Sequence, residues 1–147
     1  MLTSYTDCSC KTARYVYDRW DYFCQEIGAV GQATAFEHDA YGRLLQITLA
    51  DGSKHGYPYD RAGKCVLAVD AMGHSTSYSY NQRGQLQTQI DEEQRGITLA
   101  YDAAQRLTTL VNENGQHFGF QYDAADRMVE ETRVGGQRVT VEYDANG

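Results

Sequence analysis

A tyrosine–aspartate pair, or a close stand-in for it, recurs along this chain every 21 residues: Tyr17-Asp18, His38-Asp39, Tyr59-Asp60, Tyr80-Asn81, Tyr101-Asp102, Tyr122-Asp123 and Tyr143-Asp144. No insertion or deletion disturbs the interval. A second anchor follows each pair's first residue by 14 positions, at Gly31, Gly52, Gly73, Gln94, Gly115 and Gly136. The register also runs backwards, since Tyr15 is in phase with Phe36, Tyr57 and Tyr78. Residues 1–147 therefore equal seven units of 21 residues in one register. A fixed period of this length implies one supersecondary unit, stacked on copies of itself.

Each unit reads as two strands and two turns. The first turn is Y-D-x-x-G, as in Tyr59-Asp60-Arg61-Ala62-Gly63, with the same glycine at Gly42 and Gly84. Aspartate bonds its side chain to the backbone two residues on, and glycine supplies the positive φ that closes such a turn. The second turn is D-x-x-G or a variant, as in Asp70-Ala71-Met72-Gly73. Between the turns lie six or seven residues, an ordinary strand length. The strand leading to each tyrosine alternates, with Ile97, Leu99 and Tyr101, then Phe118, Phe120 and Tyr122, on one face. The other strand opens on Phe23, Leu44, Cys65, Leu86, Leu107 or Met128, and four residues later carries Ile27, Thr48, Val69, Ile90, Val111 or Thr132. A turn signal about every tenth residue excludes helices.

The expected fold is all-β: stacked antiparallel hairpins forming a curled ribbon or a segment of a hollow β-shell. Fourteen strands about 4.8 Å apart would span roughly 65–70 Å, and open sheets beyond about ten strands coil or split. Twelve tyrosines and 14 glycines against a single proline suit such a chain. A formal charge of −7 argues against a nucleic-acid groove or an anionic membrane surface. No apolar run approaches a bilayer span, and the start MLTSYTDCSCK lacks the pattern of a secretory leader.

No constellation for catalysis, a cofactor or a metal emerges. The aspartates Asp18, Asp39, Asp60, Asp102, Asp123 and Asp144 form a row in phase, with neighbours about 9–10 Å apart, too far to share an ion. Turn formation explains them. Cys8 and Cys10 fall at a turn, whereas Cys24 and Cys65 fall near strand starts roughly 19 Å apart, beyond disulfide reach. Four cysteines so dispersed do not make a zinc site. His38, His55, His74 and His117 occupy four different phases. The aromatic rows could stack sugars, but alternate in-phase aromatics are also what paired strands need for packing.

The recurring Y-D-x-x-G-R-L, seen in His38-Asp39-Ala40-Tyr41-Gly42-Arg43-Leu44 and Tyr101-Asp102-Ala103-Ala104-Gln105-Arg106-Leu107, resembles the signature of the Rhs/YD-repeat family along the whole chain. That resemblance implies long spiralling sheets that close into hollow shells, as in bacterial Rhs polymorphic toxins, Tc toxin cocoons and teneurins. It implies a wall segment with no enzymatic activity, whose partners are neighbouring YD repeats of the parent shell and an enclosed C-terminal toxin domain. It also implies a stay in the bacterial cytoplasm before export, with delivery by type VI secretion or a related machine. The self-cleaving D-P-x-G-L segment of such toxins is not found, since the one proline is Pro58, and the chain reads as a fragment of a larger shell. Self-association through open strand edges is expected of such a fragment. The competing reading is a module that binds carbohydrate or a cell surface through its aromatic or acidic rows.

Overall fold

The computed structural model describes residues 2–6 and 12–144. The chain divides into two compact units, Met1–Ser75 and Thr76–Gly147. Among the described residues fourteen strands form, and the one helical segment is a 3-10 turn at Val134–Gly136. The first unit holds β1 (Leu2–Thr6), β2 (Thr12–Tyr17), β3 (Phe23–Ile27), β4 (Ala33–His38), β5 (Leu44–Thr48), β6 (Lys54–Gly56) and β7 (Leu67–Val69). They lie in the sheet in chain order, each antiparallel to the next. The second unit repeats the plan with β8 (Ser75–Tyr80), β9 (Leu86–Asp91), β10 (Gly96–Tyr101), β11 (Leu107–Val111), β12 (His117–Tyr122), β13 (Met128–Thr132) and β14 (Arg138–Thr140). The protein is all-β, built from consecutive hairpins.

Both kinds of turn are closed in the same way. Asp39 N–H donates to the Arg43 carbonyl at 2.9 Å, and Gly42 N–H donates to the Asp39 carbonyl at 3.0 Å. The other turn copies this, with Leu49 N–H to the Ser53 carbonyl and Gly52 N–H to the Leu49 carbonyl, both 2.9 Å. This is a tight turn followed by one left-handed residue, the geometry of a three-residue hairpin loop. The left-handed place is taken by Gly42, Gly63 and Gly84 in one series, and by Gly31, Gly52 and Gly73 in the other.

What separates the two series is a bulge. Tyr101 lies opposite Leu107, but Ala100 lies opposite Thr109, so Thr108 is an extra residue. The same shift occurs at Val16/Tyr17, Glu37/His38, Ser79/Tyr80 and Gln121/Tyr122, always beside the YD turn. Its effect is to reverse the alternation of the second strand. Without it, Leu107 and Val111, four residues apart, would share a face. With it, Leu107 shares the face of Tyr101, while Val111 pairs with Thr98 on the other.

The sheet thus has two unlike faces. On the tyrosine face Leu99 pairs with Leu110, Leu110 with Phe118, and Phe36 with Ile47. The rings of Phe23 and Phe36 lie 4.8 Å apart there, and those of Tyr17 and Phe23 5.6 Å. On the opposite face small residues meet β-branched ones: Ala35 with Thr48, Gly56 with Val69, and Gly119 with Thr132. The odd residues along a strand such as β10 (Thr98, Ala100) are exposed, whereas Ile97, Leu99 and Tyr101 are half-buried.

Pro58 marks one local weakness. It has no N–H to donate, and pairing at Tyr59 shrinks to a single bridge with Cys65. Accordingly β6 and β7 have three residues each, where β4 and β8 have six. The Pro58 carbonyl still accepts the Val66 N–H at 3.0 Å, which keeps the hairpin in register.

No described residue is fully buried, so each unit is a single layer whose apolar side chains shelter one another sideways within the sheet. β1 pairs only with β2, and β14 only with β13, which leaves strand edges that carry unpaired backbone groups. We expect the isolated chain to self-associate, read by light scattering as a mass that rises with protein concentration. A constant monomer mass would contradict this.

Candidate functional site

The chemically richest feature is a ladder of aspartate, arginine and tyrosine beside the YD turns. Each aspartate first builds its own turn. Asp39 Oδ1 accepts the N–H groups of Tyr41 at 2.8 Å and Arg43 at 3.0 Å, and Asp123 Oδ1 accepts those of Ala125 at 2.8 Å and Arg127 at 2.9 Å. Asn81 does the same for Arg83 and Gln85, both at 3.0 Å, so the amide serves the turn as well as the carboxylate. Asp18 takes Trp20 N–H at 2.8 Å and Tyr22 N–H at 3.0 Å, Asp60 takes Lys64 N–H at 2.9 Å, and Asp102 takes Arg106 N–H at 3.0 Å.

The second carboxylate oxygen then holds the arginine that ends the motif. Arg43 Nε donates to Asp39 Oδ2 at 2.6 Å, and the matching bonds of Arg106 to Asp102 and Arg127 to Asp123 are each 2.8 Å. So fixed, the guanidinium lies over the tyrosine ring of the next repeat. Arg43 lies 4.8 Å from the Tyr59 ring centre, Arg106 5.0 Å from Tyr122, and Arg127 4.5 Å from Tyr143. The backbone N–H of Arg106, aided by its guanidinium, holds the Asp102 carboxyl below its ordinary 3.8, and Arg127 lowers Asp123 in the same order.

The tyrosine completes the link by reaching back. The hydroxyls of Tyr59, Tyr101, Tyr122 and Tyr143 donate to the carbonyls of Leu44, Leu86, Leu107 and Met128, 15 residues earlier, at 2.8–2.9 Å. Burial pushes the Tyr59 phenol above its ordinary 10.0. Of the remaining motif residues, Tyr17 pairs with Phe23 and Tyr80 with Leu86, while Gly84 N–H bonds the Asn81 carbonyl at 2.9 Å. Asp144 follows Tyr143 beyond the last strand.

Among the described residues, four other than glycine take the left-handed place: Asp21, Gln94, Gln105 and Asp126, with φ from 63° to 72°. Asp126 has a reason to be there, because its carboxylate meets Arg106 Nη1 from the preceding repeat at 2.7 Å. The Gln105 carbonyl accepts Gln85 Nε2 at 2.8 Å, a bond that any residue could make.

Sequence reading found the aspartate turns. It missed both links between repeats, the stacked arginine and the phenol bonded to a carbonyl. The available signal was the basic residue in phase at Arg43, Lys64, Arg106 and Arg127. No group of three His, Cys, Asp or Glu residues that could hold a metal occurs among the described residues. Cys24 and Cys65 form no disulfide, and their Sγ atoms are directed at the carbonyls of Val16 (3.3 Å) and Leu67 (3.1 Å). Cys8 and Cys10 lie outside the described residues. His74 bonds its own turn's Asp70 at 3.1 Å, and His38 lies 5.7 Å from the Tyr22 ring. His55 is paired with Ile47 and His117 with Val111, so the four histidines are not brought together.

The geometry describes a unit that exists to grip the next one. The RHS Repeat family model matches residues 59–95 and 101–138, just over half of the chain. The chain belongs to the RHS-repeat family. Comparison with curated protein sequences finds no match. Among solved structures, the crystal structure of TcdB2-TccC3-Cdc42 aligns with 83% of the chain at a TM-score of 0.69 and 16% identity. The Photorhabdus luminescens Tc holotoxin pore with a mutated TccC3 aligns with 84% at a TM-score of 0.68 and 16% identity. The crystal structure of TcdB2-TccC3 aligns with 83% at 0.67 and 16%. The fold is shared, and the chain spans 7% of the length of each of those chains.

Three substitutions test the ladder and its turns. Tyr122→Phe removes the bond to the Leu107 carbonyl while keeping the ring under Arg106, and should cost about 1 kcal/mol in denaturant unfolding. An unchanged midpoint would show the phenol bond to be idle. Gln105→Gly relieves the left-handed strain and keeps the backbone bond to Gln85, so the chain should gain about 0.5–1 kcal/mol. Asp126→Gly loses its ion pair to Arg106 and should gain less. A fall in melting temperature for Gln105→Gly would mean that the turn depends on the glutamine side chain.

Proposed function

We propose that the chain is a segment of the wall of a larger shell that encloses a C-terminal toxin cargo. The observation that carries this reading is the alignment of most of the chain with a small part of TcdB2-TccC3. The ladder supports it physically. The units of Asp39, Asp102 and Asp123 each bind the next through the same three side chains, and in this reading the motif residues Tyr17 and Asp18, Asp39 and Gly42, Tyr59 to Gly63, Tyr80 and Gly84, and the pairs from Tyr101 to Asp144 act as spacers and fasteners. In this reading residues 1–147 are one repeat region, with further repeats of the parent as its partners. The parent is a polymorphic toxin made in a bacterial cytoplasm and delivered by a type VI secretion system or a related machine.

Enclosure makes a specific demand: cargo inside the intact parent must resist a protease that degrades the same cargo freed from it. We expect limited proteolysis of the parent to leave the cargo whole, and removal of these repeats to expose it. Equal digestion rates for enclosed and free cargo would sink the proposal.

A further inference from the structure

The clefts between successive YD turns differ in what fills them. In the second unit, the cleft between the turns of Asn81 and Asp102 is lined by Asn81, Arg83, Gln85, Tyr101 and Ala103. The chain closes it with its own side chains, since Arg83 Nη1 donates to the Ala103 carbonyl at 2.5 Å and Gln85 Nε2 to the Gln105 carbonyl at 2.8 Å. One repeat later Arg106 Nη1 crosses to the Asp123 carbonyl at 3.1 Å and to Asp126. Two guanidinium groups and one amide thus bridge neighbouring turns.

The cleft between the turns of Asp18 and Asp39 lacks such a bridge among the described residues. About 270 Å³ in volume, it is lined by Asp18, Trp20, Tyr22, His38, Asp39 and Ala40. Trp20 stands in phase with Arg83, Tyr22 with Gln85 and Arg106, and Ala40 with Ala103. Among the described residues, Asp18 Oδ2 and the Ala40 carbonyl accept no hydrogen bond; Asp18 uses only Oδ1, within its own turn. Asp39 is already paired with Arg43, and Arg19 lies over the Trp20 ring at 3.8 Å. Tyr22 takes the path that arginine follows elsewhere: a Cβ at Gly42 would meet its ring at 2.6 Å, where a Cβ at Gly63 would meet Arg43 Nη1. It brings a ring and no charge. The cleft therefore offers an uncompensated carboxylate, a free carbonyl and aromatic walls, including Trp20 at 62% exposure.

We propose that this cleft receives the guanidinium of an arginine side chain from a partner protein. Carboxylate, carbonyl and aromatic rings are what the repeat presents to its own arginines, and here the chain's Arg19 covers the Trp20 ring without bonding Asp18 or the Ala40 carbonyl. Aromatic walls favour a flat, delocalised cation over an ammonium or a neutral group. The net charge of −7 draws a cationic segment towards the surface.

Trp20 is the single tryptophan, so its fluorescence reports on this cleft alone. The full chain is titrated with Nα-acetyl-arginine amide, and in parallel with the lysine and citrulline amides and a neutral disaccharide. The arginine amide should give a saturable change, with uncharged citrulline about tenfold weaker or worse. Asp18→Asn should abolish the response while leaving the far-ultraviolet dichroism unchanged, because Asn81 builds the same turn. Tyr22→Arg should also abolish it, by returning the repeat's own arginine to the cleft. No saturable change, an equal response to the lysine amide, the citrulline amide or the disaccharide, or undiminished binding by Asp18→Asn overturns the proposal. Should Asp18→Asn fail to fold, Tyr22→Arg decides: arginine binding retained overturns the proposal, and binding lost supports it.

Discussion

The phenols of Tyr59, Tyr101, Tyr122 and Tyr143, each bonded to a backbone carbonyl 15 residues earlier, are the constraint from which the rest follows. A single-layer sheet has no second layer to bury its apolar side chains, and none is fully buried here. Backbone ladders hold neighbouring strands together but fix little about how one hairpin leans on the next. The tyrosine does fix it. It is paired across its own turn with one leucine, as Tyr101 is with Leu107, and it bonds the carbonyl of the previous repeat's leucine, Leu86. An arginine held by the preceding aspartate covers its ring where the sequence allows, as at Tyr59, Tyr122 and Tyr143. Three residues of the motif are thus one mechanical part, distributed over two repeats.

The period and the turns were legible because they depend on local chemistry. Aspartate capping and a positive φ act within five residues, so a single sequence displays both. The bulge was not legible. It adds one residue beside the turns at Tyr17, His38, Tyr80, Tyr101 and Tyr122, and because it recurs in phase, the repeat length stays at 21 and nothing looks inserted. Only the pairing reveals that Leu107 and Val111 face opposite ways. The two-faced character of the sheet follows from that one extra residue: an apolar tyrosine face, and a face where glycine and alanine meet valine and threonine. The ladder was half legible, since its basic residues recur in phase but their targets lie in the next repeat.

Departures from the motif are informative because neighbours answer them. Asp126 sits where glycine would be easier and is met by Arg106. Asn81 replaces aspartate and is met by Gln85, whose own amide crosses to the next turn. Pro58 removes a ladder donor, and the strands on either side shorten while the turn keeps its register. In the turn of Asp18 the arginine and the next tyrosine are both replaced, by Tyr22 and His38, and the two rings settle against each other. That exchange satisfies packing and leaves Asp18 without an ion pair among the described residues.

Stability in such an architecture is a sum over neighbours, because each repeat buries its side chains only against the repeats beside it. Interior repeats gain from both sides and terminal ones from one. Outer strands such as β1 and β14 must find pairing elsewhere or remain open to solvent. A wall answers that need without asking any one repeat to be special, since continuation supplies each edge with its partner. It also accounts for the economy of the chemistry. Where the carboxylates of the ladder hold turns and arginines, they are committed to the sheet and unavailable for acid–base work. A repeat that spends its charged groups on its neighbour has little left for a substrate, and the exception at Asp18 stands out for that reason.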